Sequence, residues 1–205
     1  MAKHERSRLY DGWLYHLVVD PALARARRLV RDQVRSGSTL IDMGCGTGAL
    51  LFSLSDWCSG LVGVDHSERM WAYGRRRAEA LGLKGIRFVQ GDATRLDTFP
   101  DGSFDYASAT MVFHEMEAKQ RLPLLEEMRR LARTLIIVDY RVPLSAGLSG
   151  ICIPLIEGLA GRDHYRHFRS FIDLGGLPAL LMKQGLPVQK EIPLHGSSLH
   201  LLRVG

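Results

Sequence analysis

The chain is poor in cysteine, with three in 205 residues: Cys45, Cys58 and Cys152. Their number is odd, no two stand at metal-ligand spacing, and there is no CxxC motif. A disulfide framework is therefore not expected, and with no histidine-ligand spacing either, no metal is expected. Such cysteine usage fits a reducing compartment. A long apolar run is also missing. The most apolar stretch, 144–159, contains Pro154, Glu157 and several glycines. It falls short of the roughly 20 apolar residues that a bilayer span needs. A buried or pocket-lining helix is expected there instead. The first residues, MAKHERSRLYDGW, have no apolar core, so no secretory signal is expected and the location is expected to be cytoplasmic. Internal repeats, low-complexity tracts and linkers are absent, which suits one domain. Charge of neither sign dominates: 27 basic against 22 acidic residues leave a net +5. That mild excess permits an acidic substrate, an anionic membrane surface or RNA and demonstrates none of them. Arg75-Arg76-Arg77, and Arg129, Arg130 and Arg133, read as solvated helix faces rather than a nucleic-acid site, so nucleic acid is not an expected partner.

Glycine, by contrast, is plentiful, with 21 residues. It is densest just after the apolar run Leu40-Ile41-Asp42-Met43, in Gly44-Cys45-Gly46-Thr47-Gly48, before a helix opens at Ala49. A strand, a glycine turn and a helix make the layout of a nucleotide-type cofactor site, where glycine lets the backbone approach the ligand and adopt positive φ. Gly44, Gly46 and Ala49 fit the dinucleotide pattern G-x-G-x-x-A. Asp42 argues otherwise. A carboxylate two residues before the first glycine is awkward beside a pyrophosphate and suits a cofactor carrying an ammonium and a sulfonium, such as S-adenosylmethionine.

Two further signals follow in order. Leu61-Val62-Gly63-Val64 reads as a buried parallel strand ending at Asp65. An ionised carboxylate there can accept both hydroxyls of a ribose, or it can serve a turn or helix cap; the ribose reading does not separate NAD from S-adenosylmethionine. Ile86-Arg87-Phe88-Val89-Gln90 reads as the third strand, ending at Gly91-Asp92-Ala93. Gly-Asp is also common in plain solvated turns.

The segments LIDMGCGTGALLFSL, LVGVDHSERM and IRFVQGDATRLDTFPDGSFDYASATMVFHEM together resemble the class I S-adenosylmethionine-dependent methyltransferases, most of all the ubiquinone/menaquinone-biosynthesis type. The resemblance runs from about residue 10 to 140 and continues more loosely beyond. It implies S-adenosylmethionine as cofactor and S-adenosylhomocysteine as product. It sets Asp42, Gly44, Cys45, Gly46 and Gly48 around the methionine part, and Asp65 on the ribose. Asp92 and Ala93 read the adenine, with His66, Met70 and Thr110 at the same crevice. The side chain of Cys45 is small enough for the turn. The implied fold class is α/β: a doubly wound, mostly parallel seven-stranded Rossmann-like sheet, with a C-terminal antiparallel hairpin and a helical insert after strand five. Residues 1–205 form one domain: a helical lid (1–36), a cofactor core (37–142), a substrate-side insert (143–185) and a closing hairpin (186–205).

The punctuation of the chain places helices over 21–35, 49–58, 67–81 and 117–132, the last delayed or irregular at its start because of Pro123. Strand four is expected over 104–111 and strand five over 135–139. The insert reads as helical, with turns at Gly161 and Gly175-Gly176, and the closing strands lie near 188–193 and 199–204.

Methyl transfer is an in-line displacement, so a protein mainly aligns the acceptor, excludes water and takes a proton where needed. His114 and Glu115, after strand four, are candidate catalytic groups. His114 is the candidate base because imidazole titrates near neutrality; loop ordering or helix capping is the structural alternative for both. After strand four there is no Asn/Asp-Pro-Pro-Tyr/Phe and no cysteine, which disfavours exocyclic-amine and C5-cytosine chemistry. Tyr140, with Arg141, ends strand five, and His164 and His167 mix with aromatics in the insert. Tyr140, His164 and His167 are candidate acceptor contacts, against an amphipathic helix with Phe168 and Phe171 in the core. Tyr10 and Tyr15 belong to the lid. The expected activity is methyl transfer to a small-molecule acceptor, aromatic or quinone-like by analogy. The alternatives are a non-catalytic S-adenosylmethionine-binding regulatory module and an NAD-dependent oxidoreductase. A lipid-soluble acceptor would add a transient membrane-surface contact. The acceptor atom and the oligomeric state are not legible in the sequence.

Overall fold

The structure is a computed structural model that describes residues 23–144, 148–159 and 161–205. Tyr10, Tyr15 and most of the expected lid lie outside the described residues. Seven strands form one sheet: β1 (Thr39–Met43), β2 (Gly60–Asp65), β3 (Ile86–Gln90), β4 (Phe104–Thr110), β5 (Ala132–Tyr140), β6 (Val188–Pro193) and β7 (Leu199–Val204), in the order β3-β2-β1-β4-β5-β7-β6. The five strands from β3 to β5 are parallel, whereas β7 runs antiparallel to both β5 and β6. The doubly wound sheet with a closing hairpin is the expected fold class. Strand order reverses between β1 and β4, and a ligand crevice belongs at that switch point, beyond the carboxyl ends of the strands.

The helices are α1 (Ala24–Gln33), α2 (Ala49–Leu54), α3 (Glu68–Ala80), α4 (Ala118–Leu131), α5 (Leu148–Leu159), α6 (Arg162–Leu174) and α7 (Gly176–Lys183). They cover both faces of the sheet. On one face Ile41, Val64 and Ile137 pack with Leu124 and Met128 of α4 and Phe168 and Phe171 of α6. On the other, Leu40, Leu61 and Val138 pack with Val30 of α1 and Leu51 and Leu54 of α2. Adjacent residues such as Leu40 and Ile41 thus serve opposite cores. That is why the central strands are continuously apolar rather than alternating.

Three expectations need correction. The start of α4 is not delayed: Pro123 lies inside the helix. Its missing backbone bond, near the N-terminal end, is offset by the burial of Leu124, Leu125, Met128 and Leu131. Strand β5 extends beyond the expected 135–139 because its register with β4 begins at Ala132. Among its described side chains, those of residues 153–159, the apolar helix α5 is neither wholly buried nor a wall of the main cavity. It buries Ile153 and Glu157, while Leu155, Ile156 and Leu159 are exposed.

Candidate functional site

The glycine turn is held by its neighbours. The N–H groups of Gly44 and Cys45 both donate to the Val64 carbonyl, at 2.8 and 2.9 Å. The Gly46 N–H donates to Asp65 Oδ2 at 2.8 Å, and the Ser67 N–H to Oδ1 at 2.8 Å. Asp65 therefore pins the turn to the end of β2. Gly44 has φ +75°, and a Cβ there would lie 2.7 Å from Val112 Cγ2. Its glycine allows the loop after β4 to close over the turn. The Cys45 thiol is buried, which pushes its pKa well up, and it fills space beside Gly63.

Asp42 sits opposite Ser108 in the β1–β4 register and accepts a 2.7 Å bond from its hydroxyl. Burial raises the Asp42 carboxyl to about 7, against the Ser108 bond, which lowers it. Two residues on, Thr110 Oγ1 is buried with no hydrogen-bond partner among the described residues. Met111 follows with φ +60°, strained for a non-glycine residue, at the lip of the crevice.

A cavity of about 480 Å³ opens at this switch point. Gly44, Gly46, Asp65, His66, Met70, Asp92, Ala93 and Thr110 line one part of it, as the sequence predicted for a cofactor crevice. A narrow recess behind it is walled by Arg27, Asp42, Cys45, Thr47 and Thr110. Gly48 lines neither space; it caps α2 at φ +79°. Asp92 is exposed and accepts the Thr94 N–H and hydroxyl through Oδ1, at 2.9 and 2.7 Å. The turn role weighed from the sequence is thus real and coexists with a place on the cavity wall.

The other part of the cavity is lined by Met111, Val112, Glu115, Met116, Gln120 and His167. Among the catalytic and acceptor candidates, Glu115 and His167 line it; His114, Tyr140 and His164 do not. His114 is 1% exposed, and its Nδ1–H donates to the fully buried Asp139 at 2.8 Å. Burial works against a charged ring, but Asp139, with Glu115 and Glu157 nearby, more than offsets it and lifts His114 to about 9. Tyr140 is buried and donates a 2.6 Å bond to Glu157. His164 is bonded to the other oxygen of Glu157. His167 Nδ1 lies 2.9 Å from the Glu115 carbonyl. A carbonyl only accepts, so Nδ1 carries the proton and, in the neutral ring, Nε2 keeps the lone pair.

Sequence reading missed Ser108 beside Asp42, and three further residues here. Arg27 reaches the recess from α1. Arg121 is buried at 1% exposure, donating to the carbonyls of Phe113, Met116 and His167 and to the Ser170 hydroxyl at 2.7–3.0 Å. It ties the loop after β4 to α6. Glu157 was legible only as a charge that broke an apolar run.

Residues 40–134 match a methyltransferase domain family. The chain is 29% identical to a demethylmenaquinone methyltransferase of Thermus thermophilus over 79% of this chain and 80% of that one. It is 31% identical to the enzyme of the same name from Geobacillus stearothermophilus over 50% of this chain. That alignment spans 44% of the relative's length, and the chain covers less than half of most such relatives. In structure it is similar to a SAM-dependent methyltransferase from Aquifex aeolicus, with a TM-score of 0.66 at 21% identity, over 95% of this chain and 97% of that one.

Proposed function

From the match of residues 40–134 to a methyltransferase domain, we propose that this protein is a class I S-adenosylmethionine-dependent methyltransferase that acts on a small, largely apolar acceptor. The observation that carries the reading is one continuous cavity, running from Asp65 and Asp92 past Gly44 and Thr110 to Glu115 and His167. Its volume is that of a small-molecule site, roughly 300–1,000 Å³.

The residues fit the cofactor. Asp42 is a buried carboxylate whose proton affinity burial raises, with Asp65 adding to it, and an ammonium group would offset that cost. Thr110 offers a buried hydroxyl with no partner among the described residues. Arg27, across the recess, suits a carboxylate. Asp65 and Asp92, both on the cavity wall, would accept from the ribose hydroxyls and the adenine amino group. When bound, S-adenosylmethionine supplies a methyl group already activated by a sulfonium leaving group.

The protein's own work lies at the acceptor end. Met111, Val112 and Met116 form apolar walls that exclude water. His167 takes the acceptor's proton at Nε2, because its other nitrogen is already committed as a donor. This reading leaves His114 out of the proton transfer: Asp139 and the nearby carboxylates favour its protonated form, and it does not line the cavity. A quinol-like acceptor is favoured by the apolar lining and by the demethylmenaquinone methyltransferases that the chain resembles.

The test is transfer of a labelled methyl group from S-adenosylmethionine into fractionated extract of the source cells. Label in the organic phase supports a quinone- or lipid-like acceptor. Label in water-soluble small molecules keeps the transferase and discards the quinol. Label in protein or RNA overturns the small-molecule reading. With the acceptor in hand, His167→Asn is expected to lower kcat about 100-fold or more while leaving S-adenosylhomocysteine affinity unchanged. An unchanged kcat would remove His167 as the base.

A further inference from the structure

Behind the cavity wall at Glu115 lies a second polar cluster that the proposed methyl transfer leaves unused. It draws on four parts of the chain: His114 and Glu115 after β4, Asp139 and Tyr140 at the end of β5, Glu157 on α5 and His164 on α6. The Nε2 atom of His114 is 3.9 Å from a carboxylate oxygen of Glu115 and 3.9 Å from one of Glu157. Donor atoms of His114, Glu115 and His164 all lie within 4.8 Å of one another. Glu157, 6% exposed, is bonded to His164 and to the Tyr140 hydroxyl.

The support behind the cluster is as telling as the cluster itself. Asp139 fixes His114 through Nδ1 and leaves Nε2 aimed at Glu115 and Glu157. Asp139 is fixed in turn by the backbone N–H groups of Phe113 and Tyr140, at 2.9 and 2.8 Å. A buried carboxylate holding the far nitrogen of an imidazole is the outer-shell arrangement of metal-binding histidines.

We infer that His114, His164 and Glu115, with Glu157 as a further carboxylate, form a binding site for one divalent transition-metal ion. Two imidazole nitrogens with carboxylates favour zinc, iron, cobalt or nickel over magnesium and calcium. Ligand bonds of about 2.1 Å put the donors of a tetrahedral site about 3.4 Å apart, so the observed separations close with shifts of about 1 Å. The ion displaces the proton from His114 Nε2, as metal binding to histidine requires. On the methyl-transfer reading, Glu115 is the one of these ligands that also lines the cavity. The site itself does not depend on that reading.

The full chain, stripped with a chelator, would be titrated with cobalt(II) chloride and followed by its visible ligand-field absorption. The expected result is one ion per chain, displaced by zinc. His164→Ala and Glu157→Gln, folded by circular dichroism, should lose the bands. His195→Ala, at an exposed histidine in the turn between β6 and β7, should keep them. Should one variant fail to fold, the other still decides. No bands in the wild type, or equal binding by His164→Ala, overturns the site. Loss of binding in His195→Ala also overturns it, by placing the ion on the surface. Titration of the same samples with S-adenosylhomocysteine reads the cofactor site separately, so either reading can fail while the other stands.

Discussion

Asp42 concentrates the electrostatics of the cofactor reading in one side chain. Its carboxyl is raised to about 7, so below that pH it is protonated and cannot pair with a cation. Affinity for S-adenosylhomocysteine should therefore rise as pH increases toward about 7 and level off above, by about tenfold between pH 6 and pH 8. Calorimetric titration across that range checks it. The same shift has a stability consequence of known sign. A group whose folded pKa exceeds its unfolded value contributes stability that is fully present below the unfolded pKa and is lost as pH rises through the folded one. Without ligand, the wild type should lose stability relative to Asp42→Asn between about pH 4 and pH 7, seen as converging or crossing melting curves. Gly44 makes a steric prediction. Gly44→Ala puts a methyl 2.7 Å from the stiff Val112 side chain at φ +75°. It should cost about 1–3 kcal/mol by denaturant titration and weaken S-adenosylhomocysteine binding at least about tenfold. Asp42, Asp65 and the glycines were legible because each belongs to a short contiguous stretch whose chemistry is local. Arg27 and Ser108 were not, because each meets the site only through the packing of a distant element.

At the scale of elements, the loop after β4 and helix α6 act as a unit through Arg121. Burial lowers the proton affinity of its guanidinium, and its bonds to three carbonyls and Ser170 are what compensate for the burial. Arg121→Met keeps the volume and strands those acceptors, at an expected cost of about 2–4 kcal/mol. Hydrogen exchange should then quicken in α6 and in 113–116 before it does in β1 or β4; uniform exchange would show that Arg121 does not brace this unit. In the sequence Arg121 was one basic residue in a helix with Pro123 two places on, and the pattern gave no sign that it is buried. The insert was legible as helices broken at Gly161 and Gly175, both of which adopt positive φ. Which of its polar residues face inward was not, because α5 and α6 position Glu157 and His164 against each other only after both have docked.

For the whole molecule, the succession of strands along the chain followed from local signals: apolar runs, acidic residues at strand ends and turn glycines. The closing strands, Val188–Pro193 and Leu199–Val204, begin and end where the sequence reading put them. What the sequence could not supply was depth. His114 lies next to Glu115 in the chain, yet one is buried behind a wall and the other forms it. The separation arises from the loop after β4, whose N–H groups at Phe113 and His114 both bind Asp139 on β5. The account as a whole rests on the crevice between β1 and β4 accepting S-adenosylmethionine rather than a dinucleotide. The most direct test is calorimetric titration of the full chain at pH 8 with S-adenosylhomocysteine and, separately, with NAD, for the wild type and Asp42→Asn. The account predicts one S-adenosylhomocysteine per chain, bound more weakly by Asp42→Asn, and no NAD binding. Binding of NAD that Asp42→Asn leaves unchanged, with no heat from S-adenosylhomocysteine, would contradict it.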